Sequence, residues 1–243
     1  MIYLSIVIPC YNESRRLKKN LAIKIEYLRK QTYIWEMVLV DDGSSDNTLE
    51  IMKDFIEKNP IYHVKLVVYP KNHGKGYAVR RGMLAAQGEY CLFSDLDNST
   101  PMEELPELLK YSKDYPIVIA SRYIKGSEIV KSQTLTRRFV SRLGNLFIRF
   151  IIGLNLRDTQ CGFKLFSHAS AQKIFSLQQS HRWGFDIESL LLAQKIGYQI
   201  KEVPVSWTDL GDSKLQPLKA SMQVFGEALK SKWNIITNKY NIQ

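Results

Sequence analysis

Two acids one residue apart, Asp95 and Asp97, follow the short apolar run Tyr90–Phe93. Such a run predicts a buried strand. In extended backbone, residues i and i+2 point the same way, so both carboxylates converge just beyond the strand's carboxyl end. That is where open α/β sheets bind ligands. Two neighbouring anions call for a cation. A hard divalent ion, Mg²⁺ or Mn²⁺, held by one or two carboxylates and sharing oxygens with a diphosphate, suits them. Taken alone, the pair also fits a strand-end turn in which Asn98 and Pro101 open a helix. A second acidic cluster, Val40-Asp41-Asp42-Gly43-Ser44-Ser45-Asp46, closes the apolar run Glu36–Val40. One of its acids can accept from a nucleobase N–H or a ribose hydroxyl, whereas Asp46 and Ser44 also suit a helix cap.

Positioning these groups falls to an alternation of strands and helices. Strands are expected at Tyr3–Pro9, Glu36–Val40, Val64–Tyr69, Tyr90–Phe93 and Ile117–Ala120. Helices are expected from about Ser14 to Arg29, over Ser45–Glu57 with Ser44 or Ser45 as cap, over Gly76–Ala86, and over Pro101–Lys110. Continuous apolar strands alternating with helices imply an α/β fold: a mostly parallel sheet with helices on both faces. No repeat or linker interrupts the chain, so residues 1–243 are expected to form one domain. The turn after the first strand, Pro9-Cys10-Tyr11-Asn12-Glu13, is not the G-x-G-x-x-G of a dinucleotide-binding domain. Gly74-Lys75-Gly76 lacks the G-x-x-x-x-G-K-[ST] pattern of a phosphate loop, and no Gly-rich loop of the nucleotidyltransferase kind opens the chain.

The formal charge of +10 over 243 residues points to an anionic partner. Nucleic acid is disfavoured, because no helix-turn-helix, RRM or zinc-finger pattern is present. Cys10, Cys91 and Cys161 are too few and too scattered for a disulfide framework, which fits a reducing compartment. Met1 runs directly into strand-like sequence, and no apolar stretch approaches the roughly 20 residues needed to span a bilayer. The expectation is a soluble or peripheral protein. Between Arg122 and Arg149, seven Lys or Arg face the single Glu128. Within that stretch Phe139, Leu143, Leu146, Phe147 and Phe150 recur at helical spacing opposite Arg138, Arg142, Asn145 and Arg149, the pattern of a basic amphipathic helix. Leu218 to Ile236 repeats it, with Met222, Phe225, Leu229 and Trp233 on one stripe and Lys219, Lys230 and Lys232 elsewhere. Both stripes suit packing on the sheet as well as docking on an anionic membrane surface.

Taken in order, strand-PCYNE, VDDGSSD, NHGKGYAVRRGM and SDLD resemble the inverting GT-A glycosyltransferases of family 2. ASRY at 120–123, DTQCGFKLF at 158–166, RWGFD at 182–186, EVPV at 202–205 with Trp207, and Ser213-Lys214 resemble the polyprenyl-phosphate sugar synthases within it. The resemblance covers roughly residues 3–219. It implies a Rossmann-like GT-A fold, a divalent metal, a nucleotide-sugar donor and a polyprenyl phosphate acceptor of dolichyl or undecaprenyl type. The implied reaction moves a hexose, glucose from UDP-glucose foremost, to a β-linked lipid-phosphate sugar. Another nucleotide sugar (GDP-mannose or UDP-GlcNAc) or a saccharide hydroxyl acceptor is the alternative. The resemblance places Pro9, Tyr11 and Glu13 in the nucleotide-cradling turn, Val40 and Asp42 on base and ribose, and Lys75, Asp95, Leu96 and Asp97 on the donor. Asp95, Asp97 and Ser99 would hold the metal, Arg122 and Arg137 the acceptor phosphate. Lys214 would close on the donor from a mobile loop, and Asp158 would lie near the reacting centre as cation orienter, pocket wall or base.

Residues to about 121 thus form a nucleotide-sugar-binding half, and those from about 122 an acceptor and membrane-facing half. Where related mannosyl synthases carry a basic residue before the Ser-Lys pair, this chain has Trp207-Thr208-Asp209, which argues against mannose. No membrane anchor of the kind found in relatives is evident, so docking on the cytoplasmic face of a membrane is expected to be peripheral.

Overall fold

The computed structural model describes residues 1–131, 144, 147–209 and 217–242. The first part alternates as the patterning predicts: β1 (Leu4–Cys10), α1 (Leu17–Leu28), β2 (Trp35–Asp41), α2 (Thr48–Lys58), β3 (His63–Val68), α3 (Lys75–Ala85) and β4 (Tyr90–Ser94). A 3₁₀ turn over Met102–Glu104 leads into α4 (Leu105–Leu109), β5 (Ile117–Ser121) and β6 (Glu128–Lys131). After a π-helical turn at Ile148–Ile152 come β7 (Phe163–Ser167), α5 (His168–Leu177), α6 (Phe185–Ile196), β8 (Ile200–Pro204), β9 (Ser206–Thr208) and α7 (Pro217–Ile236). Seven strands form one sheet in the order β3-β2-β1-β4-β7-β5-β8. Only β7 runs antiparallel, to β4 and β5. β6 and β9 make a separate parallel pair.

The strands are continuous apolar runs because both faces of the sheet are covered. Period-2 alternation divides their side chains between two cores. Val7, Val38, Val40, Phe93, Ile117 and Ile119 face a core closed by α3, α5, α6 and α7. Leu4, Ile6, Ile8, Met37, Leu39, Leu92 and Val118 face the opposite core, closed by α1, α2 and α4. α3 lies so close to the sheet that a Cβ on Gly82 would come within 2.3 Å of Val7 Cγ1.

The helix starts differ from the sequence expectation. α1 begins at Leu17 rather than Ser14, because residues 12–16 are drawn into the loop network described below. α2 has Asn47 at its N-cap position. Its first N–H is satisfied by Asp46, whose Oδ1 accepts from Thr48 N at 3.0 Å. Ser44 and Ser45 do not cap it; Ser44 Oγ accepts instead from Asn12 N. Pro101 stays extended, and the expected helix divides into the 3₁₀ turn and α4.

Of the two expected amphipathic helices, the first lies mostly outside the described residues, including Arg137, Arg138, Phe139, Arg142, Leu143, Asn145 and Leu146. Its described end buries Ile148 and Ile152, while Phe150 is 74% exposed. The second is α7, and its orientation runs against the usual rule. Val224, Ala228, Ser231 and Asn234 face inward, whereas Met222, Leu229, Trp233 and Ile236 face outward, Met222 at 70% and Trp233 at 60% exposure. Phe225 stacks on Phe147 at 4.7 Å between ring centroids, which joins α7 to the π-helical turn. No helix among the described residues is long and apolar enough to cross a membrane. All three cysteines are buried and unpaired.

Candidate active site

β1 and β2 are in register to their ends, Cys10 opposite Asp41, and β4 ends beside them, so the turns that follow share one edge of the sheet. The turn after β1 and the loop after β2 are tied into one unit. Asn12 N donates to Ser44 Oγ (3.0 Å) and Ser45 N to Asn12 Oδ1 (2.8 Å), while Glu13 N donates to Thr48 Oγ1 (2.7 Å) and Ser14 N to Asp46 Oδ2 (3.2 Å). Asn12 takes φ 55°, a left-handed conformation that asparagine tolerates. The Glu13 carboxylate is held by Arg16, whose Nε and Nη2 both donate to it. Burial works against ionised Asp46, but hydrogen bonds from Thr48 and Ser14 outweigh it and bring the carboxyl down to about 2. Pro9 pairs in register with Val40, whose side chain is core, and Tyr11 is exposed.

Asp41 and Asp42 leave this edge by opposite faces. The Asp42 carboxylate accepts from His73 N (3.0 Å), Gly74 N (2.8 Å) and Asn72 Nδ2 (2.9 Å), and so holds the loop that opens α3. Burial raises its pKa against those bonds. Asp41 Oδ2 accepts from Ser44 N, but its Oδ1 is buried and has no partner among the described residues. The free acceptor is therefore on Asp41. The sequence offers Asp41 and Asp42 side by side and does not say which face a ligand takes.

β4 ends at Ser94, and Asp95 to Asp97 follow it in a turn rather than in the extended backbone expected. Both acids act on the charge of Lys75, and Leu96 between them is buried in the core. Leu96 therefore offers a ligand only its backbone. Lys75, at the start of α3, pairs with Asp95 at 2.6 Å, its ammonium over the rings of Phe93 and Trp183. Burial opposes the Lys75 charge, but Asp95 and Asp186 outweigh it and hold its pKa above the usual lysine value. Asp95 N donates to Gly162 O, and a Cβ on Gly162 would come within 2.0 Å of Asp95 Oδ2. A larger residue just before β7 would therefore push the Asp95 carboxylate from this position. Asp97 Oδ1 accepts from Ser99 N at 3.0 Å.

A second acid–base pair stands at the end of β5. Arg122 Nε and Nη2 donate to the two oxygens of Asp158 at 2.6 and 2.9 Å, and Arg122 N adds a third bond at 3.0 Å. Glu202 on β8 accepts from the backbone N–H groups of Arg157 and Asp158 and so fixes this turn. The guanidinium also lies over Trp207 (5.2 Å) and Tyr123 (5.3 Å). Burial disfavours ionised Asp158, yet the Arg122 charge prevails and keeps its carboxyl below the usual range. An acid held ionised and filled by donors makes a poor proton acceptor. The Nε and Nη2 edge of the Arg122 fork is likewise committed, while Nη1 makes no hydrogen bond among the described residues. Asp186 pairs with the buried Lys164, at 2.5 Å. Arg137 and Lys214 lie outside the described residues.

A hard divalent cation fits the acidic turn. Its donors are carboxylate and hydroxyl oxygens of Asp95, Asp97 and Ser99, and Asp97 Oδ2 has no partner among the described residues. No cluster of three or more His, Cys, Asp or Glu suited to a metal occurs among the described residues. The protein thus supplies part of a coordination sphere and leaves the rest to a ligand, as Mg²⁺- and Mn²⁺-type sites on phosphates do.

Comparison with known proteins is consistent across sequence and fold. The family model described as "Glycosyl transferase family 2" matches residues 5–175. The dolichyl-phosphate beta-glucosyltransferase of Dictyostelium discoideum is 34% identical over 253 residues, covering 100% of this chain and 77% of its own. Proteins of the same name from Trichomonas vaginalis (39% identical, 88% of this chain, 66% of its own) and Saccharomyces cerevisiae (36%, 88% and 69%) are similar too. Among solved structures, glucosyl-3-phosphoglycerate synthase from Mycobacterium tuberculosis, in complex with Mn²⁺, UDP and glucosyl-3-phosphoglycerate, superposes with a TM-score of 0.70. It is 20% identical, over 96% of this chain and 80% of that one, a likeness of fold.

Proposed function

The chain belongs to glycosyl transferase family 2, and from that premise we propose that it transfers glucose from UDP-glucose to a polyprenyl phosphate, with inversion to a β-linked product. The observation that carries the acceptor is the closed Arg122–Asp158 pair, taken with the name shared by the relatives above. A hydroxyl acceptor needs a base, and Asp158 is unsuited to be one. A phosphomonoester has a second pKa near ~6 and arrives largely ionised, so it needs positioning instead. Arg122 would offer its outer Nη edge to that phosphate, oriented by Asp158, with Arg137 as the second holder. Residues to about 121 form the donor half and those from about 122 the acceptor half.

On the donor side, Pro9, Tyr11 and Glu13 cradle the nucleotide, Val40 shapes the base pocket, and Asp41 accepts from the base. Asp42 acts there through the 72–74 loop. Asp95 and Asp97, with Ser99 in support, would hold Mg²⁺ or Mn²⁺ against the diphosphate, as Mn²⁺ accompanies UDP in the mycobacterial synthase. Bound there, the ion would stabilise charge building on the leaving diphosphate. Lys75 exchanges Asp95 for a diphosphate oxygen when the donor enters, and Lys214 closes over it.

The lipid acceptor has to be reached at a bilayer. The outward stripe of α7 with Phe150 forms an apolar surface flanked by Arg149, Lys230, Lys232 and Lys239, and Glu227, the one acid of α7, turns inward to Gly184 N. That charge suits an anionic lipid surface, to which each nearby cation contributes about 1 kcal/mol. The protein then docks peripherally, on the cytoplasmic face that its unpaired cysteines fit. The decisive assay offers UDP- and GDP-sugars with a short polyprenyl phosphate and with its dephosphorylated alcohol. Glucosyl lipid phosphate from UDP-glucose alone is expected. Product from the alcohol, or from GDP-mannose instead, overturns the assignment. Co-sedimentation with anionic vesicles tests docking, and its absence at low salt removes the membrane surface from the reading.

A further inference from the structure

Two side chains one turn apart on α1 grip both ends of the acidic turn. Lys24 Nζ donates to Ser94 Oγ at 2.9 Å, immediately before Asp95. Asn98, immediately after Asp97 and held at φ 57°, donates from Nδ2 to Asn20 O and Oδ1 at 3.3 and 3.4 Å. Lys24 is the unusual member. It is wholly buried, one of the largest such side chains in the protein. Among the described residues its hydrogen bond to Ser94 is the only one it makes, and no carboxylate comes within ion-pairing distance. A buried ammonium in that state is unfavourable unless a nearby field compensates it. Asp97 and Asp95 supply the largest compensating charges, so that burial lowers the ammonium only to about 8 and leaves it cationic at neutral pH.

Lys75 and Lys24 flank the same acids in different ways. The Lys75 side chain is partly exposed and able to turn from Asp95 to an incoming phosphate. Lys24 has nowhere to go. We propose that Lys24 is a fixed counter-charge beneath Asp95 and Asp97, which keeps the acids together without ligand and makes divalent-ion binding conditional on the nucleotide diphosphate. With both lysines in place the acids are already neutralised, and a dication arriving alone meets an ammonium that cannot leave. A diphosphate draws Lys75 away and adds the negative charge that lets the ion bind. This rests on the metal reading given under Proposed function.

The test is Mn²⁺ binding at pH 7, measured by electron paramagnetic resonance with and without UDP. The wild type is expected to bind Mn²⁺ weakly alone and far more tightly with UDP. Lys24→Met and Lys24→Gln should bind Mn²⁺ alone about tenfold more tightly, since one charge less repels the dication, and the enhancement by UDP should shrink accordingly. Gln also retains a donor for Ser94, which separates charge from hydrogen bond, and Lys24→Arg should keep the wild-type ratio. Unchanged or weakened Mn²⁺ binding in folded Met or Gln variants overturns the counter-charge and leaves the metal site standing. If neither variant folds, wild-type Mn²⁺ binding that is equally tight without UDP overturns it alone. Failure of the wild type to bind Mn²⁺ even with UDP overturns the metal reading, and the inference with it.

Discussion

Asp95 with Lys75 and Asp158 with Arg122 are both acid–base pairs at the same edge of the sheet, and both are 2.6 Å apart. What separates them is exposure. The Asp95 and Lys75 side chains remain 29% and 22% exposed, those of Asp158 and Arg122 1% and 14%. A half-open pair can be exchanged for a ligand at little cost, because water and ligand replace what each partner loses. A closed pair cannot, because removing either partner strands the other charge away from water. The first pair is fit to bind and release, the second to hold a geometry. The same two residue classes therefore serve opposite ends, according to how much of each the fold leaves open.

The contrast breaks most visibly at the closed pair. Asp158→Asn or Arg122→Met should lose about 3–5 kcal/mol of stability. At roughly 2–4 °C per kcal/mol for a chain of this size, the thermal midpoint should fall by about 6–20 °C. Arg122→Lys should recover only part, since it retains the charge without the fork. An unchanged midpoint in all three would show that the pair is not a strut. At the open site the loss should appear in turnover. Asp97→Ala should lower kcat by about 10²–10³-fold, the usual consequence of losing one group that stabilises a transition-state charge, with the midpoint nearly unmoved. Steady-state rates and a thermal melt on the same sample decide it, and unfolding by Asp97→Ala would reverse the assignment.

A smaller effect links the two regions. Gly162→Ala forces a Cβ onto Asp95 Oδ2, so the open acid should shift and the donor KM rise by about tenfold. Donor titration against the wild type tests this, and an unaltered KM would mean that Asp95 has another rotamer to use. The smallest effect concerns pH. The folded pKa of Asp46, about 2, lies below the unfolded value near ~3.9, so its stabilisation is complete above about pH 4 and declines as pH falls toward 2. Asp158, also depressed when folded, acts in the same direction. Asp46→Asn should flatten the fall in thermal midpoint between about pH 4 and 2. A curve parallel to the wild type would remove Asp46 from the acid sensitivity.

The sequence by itself determined the strand–helix alternation and the mostly parallel sheet. Both follow from periodicities of two and 3.6 residues, which are local. Partnership is not local. That Arg122 closes on Asp158, that Asp186 takes Lys164, and that Asp42 holds a loop while Asp41 keeps a free oxygen depend on segments brought together from 22 to 36 positions apart. Lys24 carries no signal in its own neighbourhood, where it resembles any solvated lysine of an amphipathic helix. Its burial follows from the way α1 lies beneath the acidic turn. α7 shows the limit most plainly. Its apolar stripe is legible in the sequence, but periodicity fixes only which residues share a face, and the packing of small Ala228 and Ser231 inward turned Met222, Leu229 and Trp233 outward.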